Sequence, residues 1–201
     1  MVPYKTVDEH HLDSLRSILT TRGLVFPRTD PSTPASLIHD GSLWDEAQIR
    51  DLSLIWHRLD PWPDTCRGIL ELNRHFWTCT LSNGNMSLLE DMCRYADMQF
   101  TRILSAEMFQ SYKPSAKVYL GAAQKMGLEP EECVMVAAHL EDLKAAKHHG
   151  FRTIYVERPR EERVPELAEE GFVDVWVGMG EKGFVSVAER LGVQVEAVVE
   201  E

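Results

Sequence analysis

Three short polar clusters carry the residue types from which acid–base or anion-binding chemistry is built. Leu81-Ser82-Asn83-Gly84-Asn85 puts one hydroxyl and two amides around a tight turn, and Ser111-Tyr112-Lys113-Pro114 offers an ammonium on a stretch stiffened by proline. In Ala137-Ala138-His139-Leu140-Glu141-Asp142 an imidazole precedes a carboxylate by three residues. A histidine exchanges protons near neutral pH, so His139 could act as acid or base with Asp142 orienting it. Lys113 could stabilise an enolate or a carboxylate. Such a set suits cyclisation, isomerisation or elimination on a small organic substrate and calls for neither metal nor cofactor. Each cluster also has a plain structural reading. Ser82 and Asn83 could satisfy turn and cap hydrogen bonds, and Lys113 could be a solvated surface lysine. His139 could sit beside a helix N-cap, with Asp142 complementing the dipole of that helix's first turn.

The elements that must position these clusters alternate along the chain. Cys133–Ala138 reads as a buried strand, Leu140–Gly150 as a helix closed by its glycine, Thr153–Val156 as a strand, and Asp174–Gly178 as a last strand before the helix Lys182–Gly192. Upstream, Trp77–Asn85 and Thr101–Glu107 read as strands, with helices at 65–75, 85–96 and 116–128. Alternating strands and helices argue an α/β, Rossmann-like parallel sheet covered by helices, with ligands beyond the carboxyl ends of its strands. All three polar clusters fall at such ends. Residues 1–62 read as a small helical cap, with amphipathic helices near 10–24 and 44–59 around the loop 27–34. A Pro- and Asp-rich turn (60–65) leads into a core spanning 63–201. Trp44, Trp56 and Trp62 could line an apolar substrate pocket or simply be core.

With 44% hydrophobic and 26% charged residues, the 201-residue chain has the composition of a soluble globular domain. Its net charge of -11 disfavours nucleic acid. No apolar run reaches a membrane span and the start has no leader pattern, which points to no membrane partner and a cytoplasmic location. Cys66, Cys79, Cys93 and Cys133 are too widely spaced for a zinc site or a disulfide framework. A homodimer could cover sheet edges, although nothing in the sequence fixes one.

Taken in order, LSNGN (81–85), YKPSAKVY (112–119) and VMVAAHLEDLKAAKHHGF (134–151) resemble the haloacid dehalogenase superfamily, in particular its 2-haloacid dehalogenase-like branch. The resemblance covers roughly residues 5 to 190. It implies that Ser82, with Asn83 beside it, binds the substrate's acidic group. It further implies that Lys113 balances the negative charge of the site, that Tyr119 lies near that lysine, and that Asp142 closes the acidic motif. Ala137 and His139 stand where bacterial dehalogenases carry a serine and an asparagine. That departure is closest to fungal-type members, which implies a cytosolic protein in a metabolic setting.

The family's reaction starts on an aspartate at the end of the first strand, in a pattern of apolar strand, Asp and a following Gly-Thr; its carboxylate attacks to form an ester that water cleaves. No segment here fits that pattern. Asp30 follows Phe26-Pro27-Arg28-Thr29, which its proline keeps from being a central strand, Asp40 with Gly41-Ser42 is the nearest imitation, and Asp60 and Asp64 belong to the turn between cap and core. The chain reads as starting inside the cap. The family's first strand is central in its sheet, so its loss is expected to leave an open slot, with Val193–Glu201 as one candidate filler and an edge strand as another reading of that tail. Magnesium in the phosphatase branch depends on the same motif, so no metal is expected. The expectation is therefore a dehalogenase-like protein repurposed for metal-independent acid–base chemistry on a small, carboxylate- or carbonyl-bearing substrate. The alternatives are a truncated, inactive hydrolase and a non-catalytic binding relative.

Overall fold

Three parallel strands, β1 (Val134–Ala137), β2 (Arg152–Val156) and β3 (Val175–Val177), lie side by side in that order in the computed structural model, which describes residues 4–25 and 42–196. Thr153 through Val156 of β2 are all buried, as a strand covered on both faces must be. Its side chains alternate between two cores. On one face Tyr155 and Met135 pack with Tyr119 and Ala123 of α5 (Ala116–Met126) and with Leu143 and Ala146 of α6 (Leu140–His148). On the other, Ile154, Val156 and Val177 pack with Leu72 of α3 (Thr65–Asn73) and Val187 and Ala188 of α7 (Phe184–Arg190). Because α6 crosses between neighbouring parallel strands, β1–α6–β2 forms a βαβ unit.

Local signals end and join these helices. Gly127, with φ +71°, closes α5 in the left-handed conformation that a residue without Cβ adopts cheaply. Gly68 has a different task, because α3 and α7 cross there. A Cβ at that position would lie 2.3 Å from Phe184 Cβ. The Pro- and Asp-rich turn is fastened by Asp64, whose two oxygens accept from Arg158 at 2.7 and 2.6 Å and also from the Phe184 N–H at 2.7 Å. Burial pushes the Asp64 carboxyl upward, but these donors prevail and hold it below the usual carboxylate range. The Arg158 guanidinium in turn lies 5.3 Å from the centre of the Trp62 ring.

At the N-terminal side, α1 (Val7–Thr21) opens with a capping box in which Thr6 and Glu9 exchange hydrogen bonds. It packs on α2 (Glu46–Ser53), which runs into a 3-10 turn, Leu54–Arg58, lying against α4 (Met86–Tyr95). The expected loop at 27–34 lies outside the described residues.

Two expected strands take a looser form. Trp77–Asn85 and Thr101–Glu107 meet only as the single parallel bridges Cys79 with Arg102 and Ser82 with Ser105. Threonine side chains replace part of the ladder there. The Thr80 hydroxyl donates to the Leu104 carbonyl at 2.9 Å and accepts from its N–H at 3.0 Å. In the tail, Val193–Glu196 form no strand, because Val193 packs into the α7 core; the remainder lies outside the described residues. No described helix is long and apolar enough to cross a membrane.

Candidate functional site

Lys113, Tyr119 and Asp142 meet beyond the carboxyl end of β1. Lys113 Nζ donates to Asp142 Oδ2 at 2.5 Å and the Tyr119 hydroxyl donates to Oδ1 at 2.7 Å. Three elements deliver them: the segment before α5, the second turn of α5, and the first turn of α6. The lysine and aspartate side chains are only 17% and 16% exposed, and Tyr119 is fully buried. Burial, and then the hydrogen bond to Asp142, push the Tyr119 hydroxyl far above the usual tyrosine value, so it stays a donor. Both oxygens of Asp142 are thereby engaged, one by a cation and one by a neutral O–H.

The LSNGN turn comes alongside. Asn83 spends its side-chain oxygen on the Lys113 N–H at 2.7 Å, fixing the lysine's backbone. The Ser82 hydroxyl accepts the Gly84 N–H at 3.0 Å, which leaves its proton free to donate. Beneath them Ser105, fully buried, donates to the Gly84 carbonyl at 2.6 Å.

His139 does not join this cluster. The expected pairing with Asp142 is replaced by a contact of His139 Nε2 with Glu161 at 3.3 Å, and the imidazole is 48% exposed. His139 is the N-cap residue of α6 with extended backbone, φ -122° and ψ 120°, which turns its ring outward. The first N–H of that helix is taken by Glu162, 2.7 Å from Leu140 N.

Ser82, Lys113 and Asp142 line a cavity of about 1020 Å³ lying between the segment 79–82 and β1. Asn83, Tyr119 and His139 do not line it, and neither do Trp44, Trp56 or Trp62. Trp56 instead stacks on His11, with ring centres 4.9 Å apart. Most of the cavity wall is apolar. Cys79 and Cys133 also face it. Burial, and then the proximity of Cys133, push the Cys79 thiol up to about 11, and burial raises Cys133 too, so neither supplies a thiolate at neutral pH. Among the described residues no group of three or more His, Cys, Asp or Glu side chains is placed to hold a metal ion.

Sequence reasoning missed a second polar network behind the turn. Asn85, 4% exposed, donates to Asp8 at 2.7 Å, and His57 bridges Asp8 at 3.1 Å and Asp91 at 2.8 Å. It ties the start of α1, the 3-10 turn and α4 to the LSNGN loop. Asp8 and Asn85 are 77 residues apart, and although Asn85 ends the LSNGN turn, Asp8 belongs to no motif, so no local signal could have joined them.

Comparison with known proteins adds the following. The family model described as haloacid dehalogenase-like hydrolase matches residues 15–150. (S)-2-haloacid dehalogenase H-109 of Pseudomonas putida is 28% identical over 134 residues, which are 65% of this chain and 60% of that protein. (S)-2-haloacid dehalogenase 4A of Burkholderia cepacia is 28% identical over 120 residues, 58% of this chain and 52% of that one. The chain thus spans about half to three fifths of the length of these curated relatives. Among solved structures, the L-2-haloacid dehalogenase PA0810 superposes with a TM-score of 0.78 at 32% identity, covering 94% of this chain and 75% of that one. The defluorinating L-2-haloacid dehalogenase Rha0230 gives 0.77 at 31% identity, covering 95% and 71%.

Proposed function

This chain belongs to the haloacid dehalogenase-like hydrolase family, and from that premise we propose that its crevice takes a small organic acid whose carboxylate is received by Lys113 and Ser82. One observation carries the reading: Lys113, already clamped to Asp142 at 2.5 Å, lines the same cavity as Ser82. An ammonium has three donors and Asp142 uses one, so Lys113 keeps N–H groups for an anion, and Ser82 keeps an O–H. The (S)-2-haloacids in the relatives' names are the first candidates.

The chain's own groups bind and neutralise the substrate rather than attack it. Both oxygens of Asp142 are held by donors, so its carboxylate is not directed at a substrate carbon, and the neighbouring thiols stay protonated. Substitution at carbon in the manner of the relatives' names needs a further carboxylate beside Lys113. A second reading, proton transfer at the carbon next to the carboxylate, is favoured by the amine–carboxylate contact itself, which places an acid and a base together. His139 takes part in that reading only from the rim, through Glu161. Lys113, Tyr119, Asp142, Ser82 and Asn83 remain the site in both.

Titration calorimetry with (S)-2-chloropropionate, together with NMR of the same mixture in D2O, tests this. The expected result is saturable binding lost in Lys113→Met, without chloride release by these 201 residues alone. Deuterium uptake at C2 would establish the proton-transfer reading. Binding that survives Lys113→Met, or no binding at millimolar ligand, overturns the assignment.

A further inference from the structure

The His57 imidazole meets a carboxylate at each of its nitrogens, Asp91 Oδ2 at 2.8 Å from Nδ1 and Asp8 Oδ1 at 3.1 Å from Nε2. A neutral imidazole has one N–H and one lone pair, so it donates to only one of the two. Its other nitrogen then points a lone pair at an anion. Both contacts are favourable together only in the imidazolium, which carries two N–H groups. The ring is buried, so water does not stand in for a missing donor.

The two acids do not depend on His57 equally. Asp91 also accepts from Arg94 at 2.6 Å, and the histidine first, then the arginine, hold its carboxyl below the usual carboxylate range. Asp8 has no Lys or Arg within ion-pair distance among the described residues, and its side chain is only 21% exposed. The remaining charged groups around the ring do not replace His57. Burial pushes His11 of α1 below the usual histidine value, and Asp51 of α2 pairs with Arg58 at 3.8 Å. A neutral His57 therefore leaves Asp8 half-buried without a counter-charge.

Asp8 in turn holds the LSNGN turn. Its N–H donates to Asn85 Oδ1 at 3.2 Å, and Asn85 Nδ2 donates back to Asp8 Oδ2 at 2.7 Å. Asn85 follows Gly84, whose N–H engages the Ser82 hydroxyl oxygen at 3.0 Å and so leaves the Ser82 proton for a ligand. We propose that Asp8 and His57 are positioning residues for the anion site. The doubly protonated imidazole keeps Asp8 on Asn85 and thereby sets Ser82. Loss of one proton releases Asp8, loosens the turn and weakens the hold on a carboxylate. This pH dependence rests on the carboxylate reading of Lys113 and Ser82 given above, whereas the coupling of His57 to the turn does not.

NMR of the full chain from about pH 5.5 to about pH 9.5 follows the His57 ring together with the backbone amides of Gly84 and Asn85. The expected result is one shared midpoint for ring and turn. Calorimetry should show affinity for (S)-2-chloropropionate falling about fivefold or more as pH rises through that midpoint. Because binding and protonation are linked, the bound haloacid should move the midpoint to higher pH. His57→Gln and Asp8→Asn should both lose the step in the turn amides, and His139→Gln should keep it. Turn amides that ignore the His57 titration, a step that survives His57→Gln, or a ring that keeps one charge over the whole range overturns the proposal. Should a variant fail to fold, the titration of the parent chain still decides. A parent that binds no haloacid at any pH overturns the substrate assignment, and the Gly84 and Asn85 amides then decide whether His57 holds the turn.

Discussion

Replacing Lys113 by Met and Asp142 by Asn, singly and together, measures how far the site is held by its own charges. The pair lies between two regimes. Exposed ion pairs contribute about 0–1 kcal/mol, while breaking a buried pair from one side costs about 3–5 kcal/mol. With 17% and 16% of the side chains exposed and a 2.5 Å contact, this pair falls nearer the buried limit. Lys113→Met leaves the Asp142 carboxylate with Tyr119 as its remaining side-chain donor, which sets the expected loss at about 2–3 kcal/mol. Asp142→Asn strands the ammonium instead and should cost about the same. The double variant should lose about 2 kcal/mol less than the sum of the two, because neither partner is then orphaned. For a chain of this length each kcal/mol is about 2–4 °C in Tm. Urea unfolding followed by fluorescence of the five tryptophans reads all four proteins. A coupling below about 0.5 kcal/mol would refute the reasoning, since the cluster would then be a surface contact like any other.

Two further perturbations test the frame around the site. Asp64→Asn breaks the two-pronged contact with Arg158 and should cost about 2–3 kcal/mol. Because the folded Asp64 carboxyl lies below its unfolded range near pH 4, its contribution is fully present above that range and lost as pH falls through the folded value. Stability curves from pH 7 down to 2.5 should therefore fall less steeply in Asp64→Asn than in the parent, and parallel acid limbs would count against the pair. Gly68→Ala places a methyl 2.3 Å from Phe184 Cβ and 2.5 Å from its carbonyl carbon, where a helix backbone must move. Despite alanine's advantage of about 1 kcal/mol in a helix, a net loss of about 1–3 kcal/mol is expected in the urea midpoint. A neutral result would mean that α3 and α7 are less tightly apposed.

What the sequence made legible, and what it hid, divides along a physical line. β2 and α5 could be read because the information is local: a run of buried β-branched residues, and a helix closed at Gly127. Lys113, Tyr119 and Asp142 could be named because their motifs recur in a known family, and the structure brings Lys113 and Tyr119 each within hydrogen-bonding distance of Asp142. The orientation of His139 was not legible. Spacing of three along a helix suggests that residues 139 and 142 share a face, but that geometry applies only once both residues are helical. At the N-cap the backbone is still extended, and an outward turn there gave the imidazole to Glu161. The looseness of the 79–82 pairing escaped for a related reason: threonine is a strand residue by propensity, yet its hydroxyl competes with the ladder it favours. The Asp8–Asn85–His57–Asp91 network shows the same limit at long range. Asp8, His57 and Asp91 carry no local signal of a shared site, and only the closed fold brings them to Asn85 and to one another. Contacts of that kind hold the LSNGN turn through Asn85, so the setting of Ser82 depends on Asp8, His57 and Asp91, which no motif would have selected.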